Sequence, residues 1–161
     1  MAARLKVITK LQQGRNAVRR AILEPLNLLT DLVFGGVLER FPRLRFVLAE
    51  YDLSWLHPFI SKMDGTLQRA RSESPASPTV SVLPSECIRR QVYITFQEDR
   101  IGVLGADVFN MIDNYMWASD YPHGGSTWPC SRDAIARQFK GVPEPIERKL
   151  TWDNAARFYG V

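Results

Sequence analysis

Met116-Trp-Ala-Ser-Asp-Tyr-Pro-His-Gly-Gly-Ser-Thr-Trp-Pro129 is the stretch from which the fold is read. Taken with Tyr115, it opens as a short apolar run to Ala118, the pattern of a buried β-strand. The run stops at Asp120 and breaks at Pro122, Gly124 and Gly125, residues that mark turns. A carboxylate delivered where a buried strand meets a Gly/Pro loop is costly for structure alone, because a buried charge has to be paired or bound to a metal. In parallel α/β sheets, strand C-termini are also where chemistry gathers. Asp120 is therefore the first candidate site residue, and His123 is its nearest titratable companion. A structural reading stands beside it, in which Asp120 caps the helix expected from Ser131 or a loop amide.

Working outward, the same grammar recurs. Leu44–Ala49 reads as a compact strand that ends in Glu50, Tyr51 and Asp52. Gln91–Phe96, rich in β-branched and aromatic residues, reads as another that ends in Gln97, Glu98 and Asp99. Glu50 is either a second site residue or a surface acid after an edge strand. Apolar residues at helical spacing run from Val18 through Ile22, Leu26, Leu29 and Val33, and Gly35-Gly36 ends the run. Ser54 is placed to cap a helix from Trp55, with Leu56, Met63 and Leu67 in its buried stripe. His57, in its first turn, reads as a partly exposed helix residue rather than a ligand. Residues 72–85 form a Ser/Pro-rich connector. After Asp99 a helix is expected to bury Ile101, Leu104, Val108 and Met111 on one face. Further helices follow from Ser131 and beyond Pro143, the last ending at Gly160 as a C′ residue. The order is helix, then strand–helix three times, then a final helix. That alternation predicts parallel strands joined by right-handed crossovers, so every acidic strand end points to one rim.

A chain of 161 residues is one domain by size. No apolar run approaches the roughly 20 residues that span a bilayer. The start, Met1-Ala-Ala-Arg-Leu-Lys6, has no signal-peptide apolar region, which points to a cytoplasmic protein without membrane contact. Cys87 and Cys130 fit no metal-ligand spacing or disulfide framework and read as reduced thiols. Net charge is +4, concentrated in the first 23 residues, where Arg4, Lys6, Lys10, Arg15, Arg19 and Arg20 occur without an acid. Three readings fit: a solvated helix face, a phosphate-contacting face, or the acid-poor start of a targeting peptide. No aromatic residue interleaves these charges, which disfavours a nucleic-acid stacking platform.

Four segments together resemble the C-terminal part of the amidohydrolase-related family, the branch that contains aminocarboxymuconate-semialdehyde decarboxylase and related metal-dependent hydrolases. They are Gly36–Glu50, Gln91–Phe96, Trp117–His123 with Trp128-Pro129, and Asn154–Tyr159. The resemblance implies a partial (β/α)8 TIM barrel, in which residues 1–161 form a single incomplete domain supplying the last three strand–helix units. Residues 1–34 would then be an N-terminal helical segment. It implies that Asp120 binds a divalent metal, zinc first, and handles the proton of the attacking water, with Glu50, His123 and Trp128 lining the substrate pocket. In decarboxylating members the residue ending the sixth strand is often histidine and here it is Glu50, which leans towards hydrolysis, with decarboxylation as the alternative. The family's His-x-His pair and its mid-barrel histidine have no counterpart, since the chain contains only His57 and His123. A barrel of this kind takes about 250 residues. The expectation is thus a segment that is inactive alone and does not hold its metal stably. It would act on a small molecule once a missing barrel half completes it. Otherwise its exposed sheet edge makes it an interaction module for a protein partner or a homo-oligomer.

Overall fold

The structure, a computed structural model, describes Asn16, Arg19 and residues 22–74 and 80–161. Most of the basic N-terminal stretch, and residues 75–79 of the Ser/Pro connector, lie outside the described residues, so the readings placed on them do too. The elements run α1 (22–34), α2 (Val37–Arg40), β1 (Phe46–Leu48), α3 (Leu56–Glu73), α4 (Pro84–Gln91), β2 (Val92–Phe96), α5 (Arg100–Gly105), β3 (Tyr115–Trp117), α6 (Ser131–Gln138), α7 (Glu144–Arg148) and α8 (Asn154–Tyr159). A π-helical turn, Lys149–Asp153, joins the last two. No helix among the described residues is long and apolar enough to cross a membrane.

The three strands form one parallel sheet in the order β1-β2-β3. Phe46, Val47 and Leu48 pair with Val92, Tyr93 and Ile94, while Ile94, Thr95 and Phe96 pair with Tyr115, Met116 and Trp117. Central β2 is apolar throughout except Thr95, as expected of a parallel strand covered on both faces. Val92, Ile94 and Phe96 point into a core with Leu56, Ile60 and Met63 of α3, Ile88 of α4 and Leu29 of α1. Tyr93, on the opposite face, packs at a tilt against Phe158 of α8 with ring centroids 4.6 Å apart.

Buried amides fasten the elements at the strands' entry side. Gln91 Nε2 donates to the Phe41 carbonyl at 2.9 Å. Asn114 Nδ2 donates to the Arg89 and Val92 carbonyls, each at 2.8 Å. Asn154 Nδ2 donates to the Ile112 and Tyr115 carbonyls at 2.6 and 2.8 Å, which locks α8 beneath β3. Gly160 closes α8 in the left-handed conformation, φ 75°, as a glycine C′ residue should. Cys87 is buried and Cys130 exposed, both free.

Four local expectations are corrected. The end of the connector is helical, because Pro84 sits at the first position of α4, where its missing N–H costs nothing. Ser54 does not cap α3; its hydroxyl and backbone N–H turn instead to the Asp99 carboxylate. His57 is buried at 7% exposure, stacked on Phe109 at 3.8 Å and hydrogen-bonded through Nε2 to the Tyr115 hydroxyl at 3.0 Å. On α5 and in the turn that follows it, Ile101 and Val108 are 76% and 80% exposed and Leu104 is exposed as well, whereas Gly102, Val103, Ala106 and Met111 are buried. Gly102 lies so close to Leu53 that a Cβ there would overlap it. Asp99 pins the same turn by accepting the Gly102 N–H at 2.8 Å. These two contacts rotate the helix onto its small-residue face.

Candidate metal centre at the strand rim

Two of the three strand ends, those of β1 and β3, leave the sheet in strained turns. Glu50, Asp52 and Asp120 all adopt positive φ (68°, 53° and 58°), a region that residues with a Cβ seldom occupy and that clusters at functional sites. Beyond β1, the Glu50 N–H donates to Thr95 Oγ1 of β2 at 2.9 Å, which fixes where the Glu50 side chain leaves the backbone. Beyond β3, the chain folds back on itself. His123 N–H donates to the Asp120 carbonyl at 2.9 Å, Thr127 N–H to the Ser119 carbonyl at 3.0 Å, and the Ser126 hydroxyl to the same Ser119 carbonyl at 2.7 Å. This tight return lays the His123 ring over Asp120.

The result is a compact donor set. His123 Nδ1 lies 2.7 Å from Asp120 Oδ1 and 3.8 Å from Glu50 Oε1. One ligand atom from each of Glu50, Asp120 and His123 falls within 4.8 Å of the other two. Asp120 is the sheltered member, its side chain 9% exposed, whereas Glu50 and His123 are open to solvent. The electrostatics match. The Glu50 carboxyl is pushed above its usual range, first by the Asp120 carboxylate with which it favours sharing a proton, and the His123 charge pulls the other way. The His123 imidazolium is favoured, first by its hydrogen bond to Asp120. Two carboxylates and an imidazole gathered at one point form a site that a proton or a cation neutralises.

Among the other rim residues named from sequence, several are structural. Asp99 is buried and accepts from the Leu53 and Ser54 N–H groups at 2.7 Å each, from Gly102 N–H and from the Ser54 hydroxyl. Against the cost of burial, these bonds hold its pKa down. The Gln97 carbonyl accepts from Trp117 Nε1 at 3.0 Å and Gln138 Nε2 at 2.8 Å. Glu98 pairs with Arg137 at 2.5 Å. Trp128 is 63% exposed and stands edge-on to Tyr121, ring centroids 5.7 Å apart. Asp120 does not cap a helix; its carboxylate faces His123. The residue that sequence reading missed is Thr95, the one polar side chain in β2. A lone hydroxyl near the end of an otherwise apolar strand was the available signal.

The fold has counterparts among known proteins. The sequence model of the amidohydrolase family matches residues 20–161. An amidohydrolase from Mycobacterium avium subsp. paratuberculosis K-10 is 25% identical, with a TM-score of 0.67 over 84% of this chain and 33% of that one. The 5-carboxyvanillate decarboxylase LigW from Sphingomonas paucimobilis is 26% identical, with a TM-score of 0.65 over 81% of this chain and 38% of that one. IDCase from Metarhizium anisopliae, at 19% identity and a TM-score of 0.60 over 84% of this chain and 39% of that one, supports the fold alone. No protein of curated function matches. The chain thus spans between a third and two-fifths of the solved structures it matches, and its parallel sheet is the corresponding part of their barrel.

Proposed function

The chain belongs to the amidohydrolase family, and from that premise we propose that it supplies one arc of a metal-dependent hydrolase, with Asp120, His123 and Glu50 at the rim as its own share of the metal centre. The observation that carries this reading is the convergence of three donors from two strand ends and one loop within 4.8 Å. The donor set fits a divalent cation: two carboxylate oxygens and one imidazole nitrogen suit zinc, and also manganese or iron. Such a cation, when bound, lowers the pKa of its water towards neutrality and polarises a carbonyl oxygen. The protein's own residues then divide the remaining work. Asp120, sheltered, is placed to take and hold a proton on its carboxylate, with His123 Nδ1 sharing a hydrogen bond with Oδ1 at 2.7 Å. Glu50 balances the charge beside them, and its anchored backbone keeps it from swinging away. Trp128 and Tyr121 offer an exposed aromatic pair for the apolar part of a small substrate.

Hydrolysis is the reading that Glu50 favours. Decarboxylation of an aromatic carboxylate is the second, supported by the similarity to 5-carboxyvanillate decarboxylase. The test is zinc titration of the purified chain by calorimetry, beside Asp120→Asn and the distant control Glu98→Gln. Expected is one cation per chain, with affinity at least tenfold weaker in the Asp120 variant and unchanged in the control. Equal affinity in all three would remove the rim as the metal centre.

A further inference from the structure

A groove of about 600 Å3 lies between one face of α3, the start of α4 and the turn after α5, and none of the rim donors lines it. That is the size of a small-molecule site. Its floor is Gly65, in the middle of the 18-residue helix α3, where glycine is a poorer helix former than alanine. A Cβ at Gly65 would meet nothing within 4 Å, so no neighbour requires a glycine there. What the missing side chain does is leave the groove open.

Two opposite charges meet at Ser85 in this groove without pairing. Asp64 Oδ1 accepts the Ser85 N–H at 2.9 Å, and Arg89 Nη2 donates to Ser85 Oγ at 3.2 Å. Ser85 is 5% exposed and so holds both from a buried position. Neither Asp64 nor Arg89 joins an ion pair among the described residues. Arg89 therefore uses one of its five N–H donors on a side chain, and one Asp64 oxygen remains open. Beside them stands His57. Its Nε2 is taken by the Tyr115 hydroxyl, whereas its Nδ1 has no hydrogen-bond partner. No sealed side-chain nitrogen or oxygen among the described residues lacks a partner, so Nδ1 reaches the surface, and the groove is the surface that His57 lines. With the Tyr115 hydroxyl donating to Nε2, the neutral ring carries its proton on Nδ1 as a donor.

An open carboxylate oxygen suits an ammonium, and a guanidinium with an imidazole N–H suits a carboxylate. Ile60 and Phe109 add apolar wall. A ligand with a single charge leaves either Asp64 or Arg89 unmatched, whereas one that carries both charges on one carbon answers both across the width of Ser85. We propose that this groove binds a free α-amino acid with an apolar side chain. Its ammonium lies on Asp64, its carboxylate on Arg89 and His57, and its side chain against Ile60 and Phe109. The proposal stands apart from the reading of the rim.

The full 161-residue chain is titrated by calorimetry with L-leucine, L-methionine and L-phenylalanine, each beside its deaminated and its decarboxylated analogue. Expected is saturable one-to-one binding of at least one amino acid, at least tenfold tighter than either of its analogues. Asp64→Asn, which keeps an oxygen for the Ser85 N–H, and Arg89→Gln should each weaken it at least tenfold, while Glu98→Gln, outside the groove, leaves it unchanged. Gly65→Met fills the groove with a better helix former, so affinity should fall at least tenfold with no drop in melting temperature. If that variant melts lower, the Asp64 and Arg89 variants decide. Absence of saturable binding for all three amino acids overturns the proposal. An analogue lacking the ammonium that binds as tightly as its parent marks a simple carboxylate site and overturns it as well. So does native affinity in Gly65→Met or in both charge variants, which places the ligand elsewhere.

Discussion

His57 is a buried base with no acid against its ring, and it makes the stability of the chain depend on pH. Burial holds its pKa down to about 4, although the charge of Asp99 works against this. The unfolded chain binds the proton from pH 6.5 downward, whereas the folded chain refuses it until about pH 4. The neutral ring's contribution is therefore complete above pH 6.5 and is lost as pH falls through that window. At 1.36 kcal/mol per unit of pKa difference, about 2 kcal/mol of stability should disappear between pH 7 and pH 5. Urea midpoints at the two pH values check this. In His57→Phe the starting stability is lower, because the Tyr115 hydroxyl loses its partner, but the drop attributable to residue 57 is gone. A drop of equal size in the variant would mean that other groups carry it. The contrast with His123 shows what sequence could and could not say about single residues. From sequence His123 stood out as the companion of Asp120, whereas His57 read as a partly exposed helix residue. Which one is stacked under Phe109 and which one lies over Asp120 depends on contacts 52 and 3 residues away in the chain, and only the second distance is local.

At the scale of elements, hydrophobic runs were enough to place all three strands, because a buried parallel strand has no polar face to confuse the reading. Helix faces were less legible. The stripe Ile101, Leu104, Val108 has helical period, yet it faces solvent, because close approach at Gly102 decides the orientation of α5. The small residues Gly102 and Ala106 carried that information, and periodicity in bulky residues hid it. Gly102→Ala should therefore destabilise the chain by about 1–3 kcal/mol through overpacking against Leu53, despite alanine's better helix propensity. Val103→Ala at the neighbouring buried position tests size rather than approach, and thermal melts of the two variants separate the effects. The C-terminal segment, by contrast, was recognised from Asn154–Tyr159 without any knowledge of what Asn154 does. Its amide ties two carbonyls on either side of the turn into β3. Asn154→Ala leaves both without that donor and should cost about 2 kcal/mol, read as a lower urea midpoint with an unchanged slope. An unaltered midpoint would show that the π-helical turn holds α8 in place unaided.

The whole molecule brings three separately delivered groups to one point: Glu50 after β1, Asp120 after β3, and His123 from the returning loop. Their gathering was legible as far as the shared rim, since parallel strands must end on the same side. The closeness of the set was not, because it depends on the left-handed turns at Glu50 and Asp120 and on the Thr95 anchor. This convergence has a thermodynamic consequence. The unfolded chain holds Glu50 some 70 residues from the other two donors, so a divalent cation binds the folded form in preference. Binding of that kind stabilises by RT ln(1 + [L]/Kd), about 2.7 kcal/mol at a free concentration one hundred times Kd. Zinc at that excess should raise the urea midpoint of the native chain correspondingly and leave Asp120→Asn where it began. Glu50→Gln should give an intermediate response, since it keeps the oxygen donor and removes the charge. Magnesium, which demands near-ideal octahedral oxygen coordination, should produce a far smaller rise than zinc in every variant. Equal stabilisation of the native and Asp120→Asn chains would place the cation elsewhere on the molecule. A flat response in the native chain would mean that three ligands on an open arc bind too weakly to couple to folding, and that the arc acquires its cation only when the ring is complete.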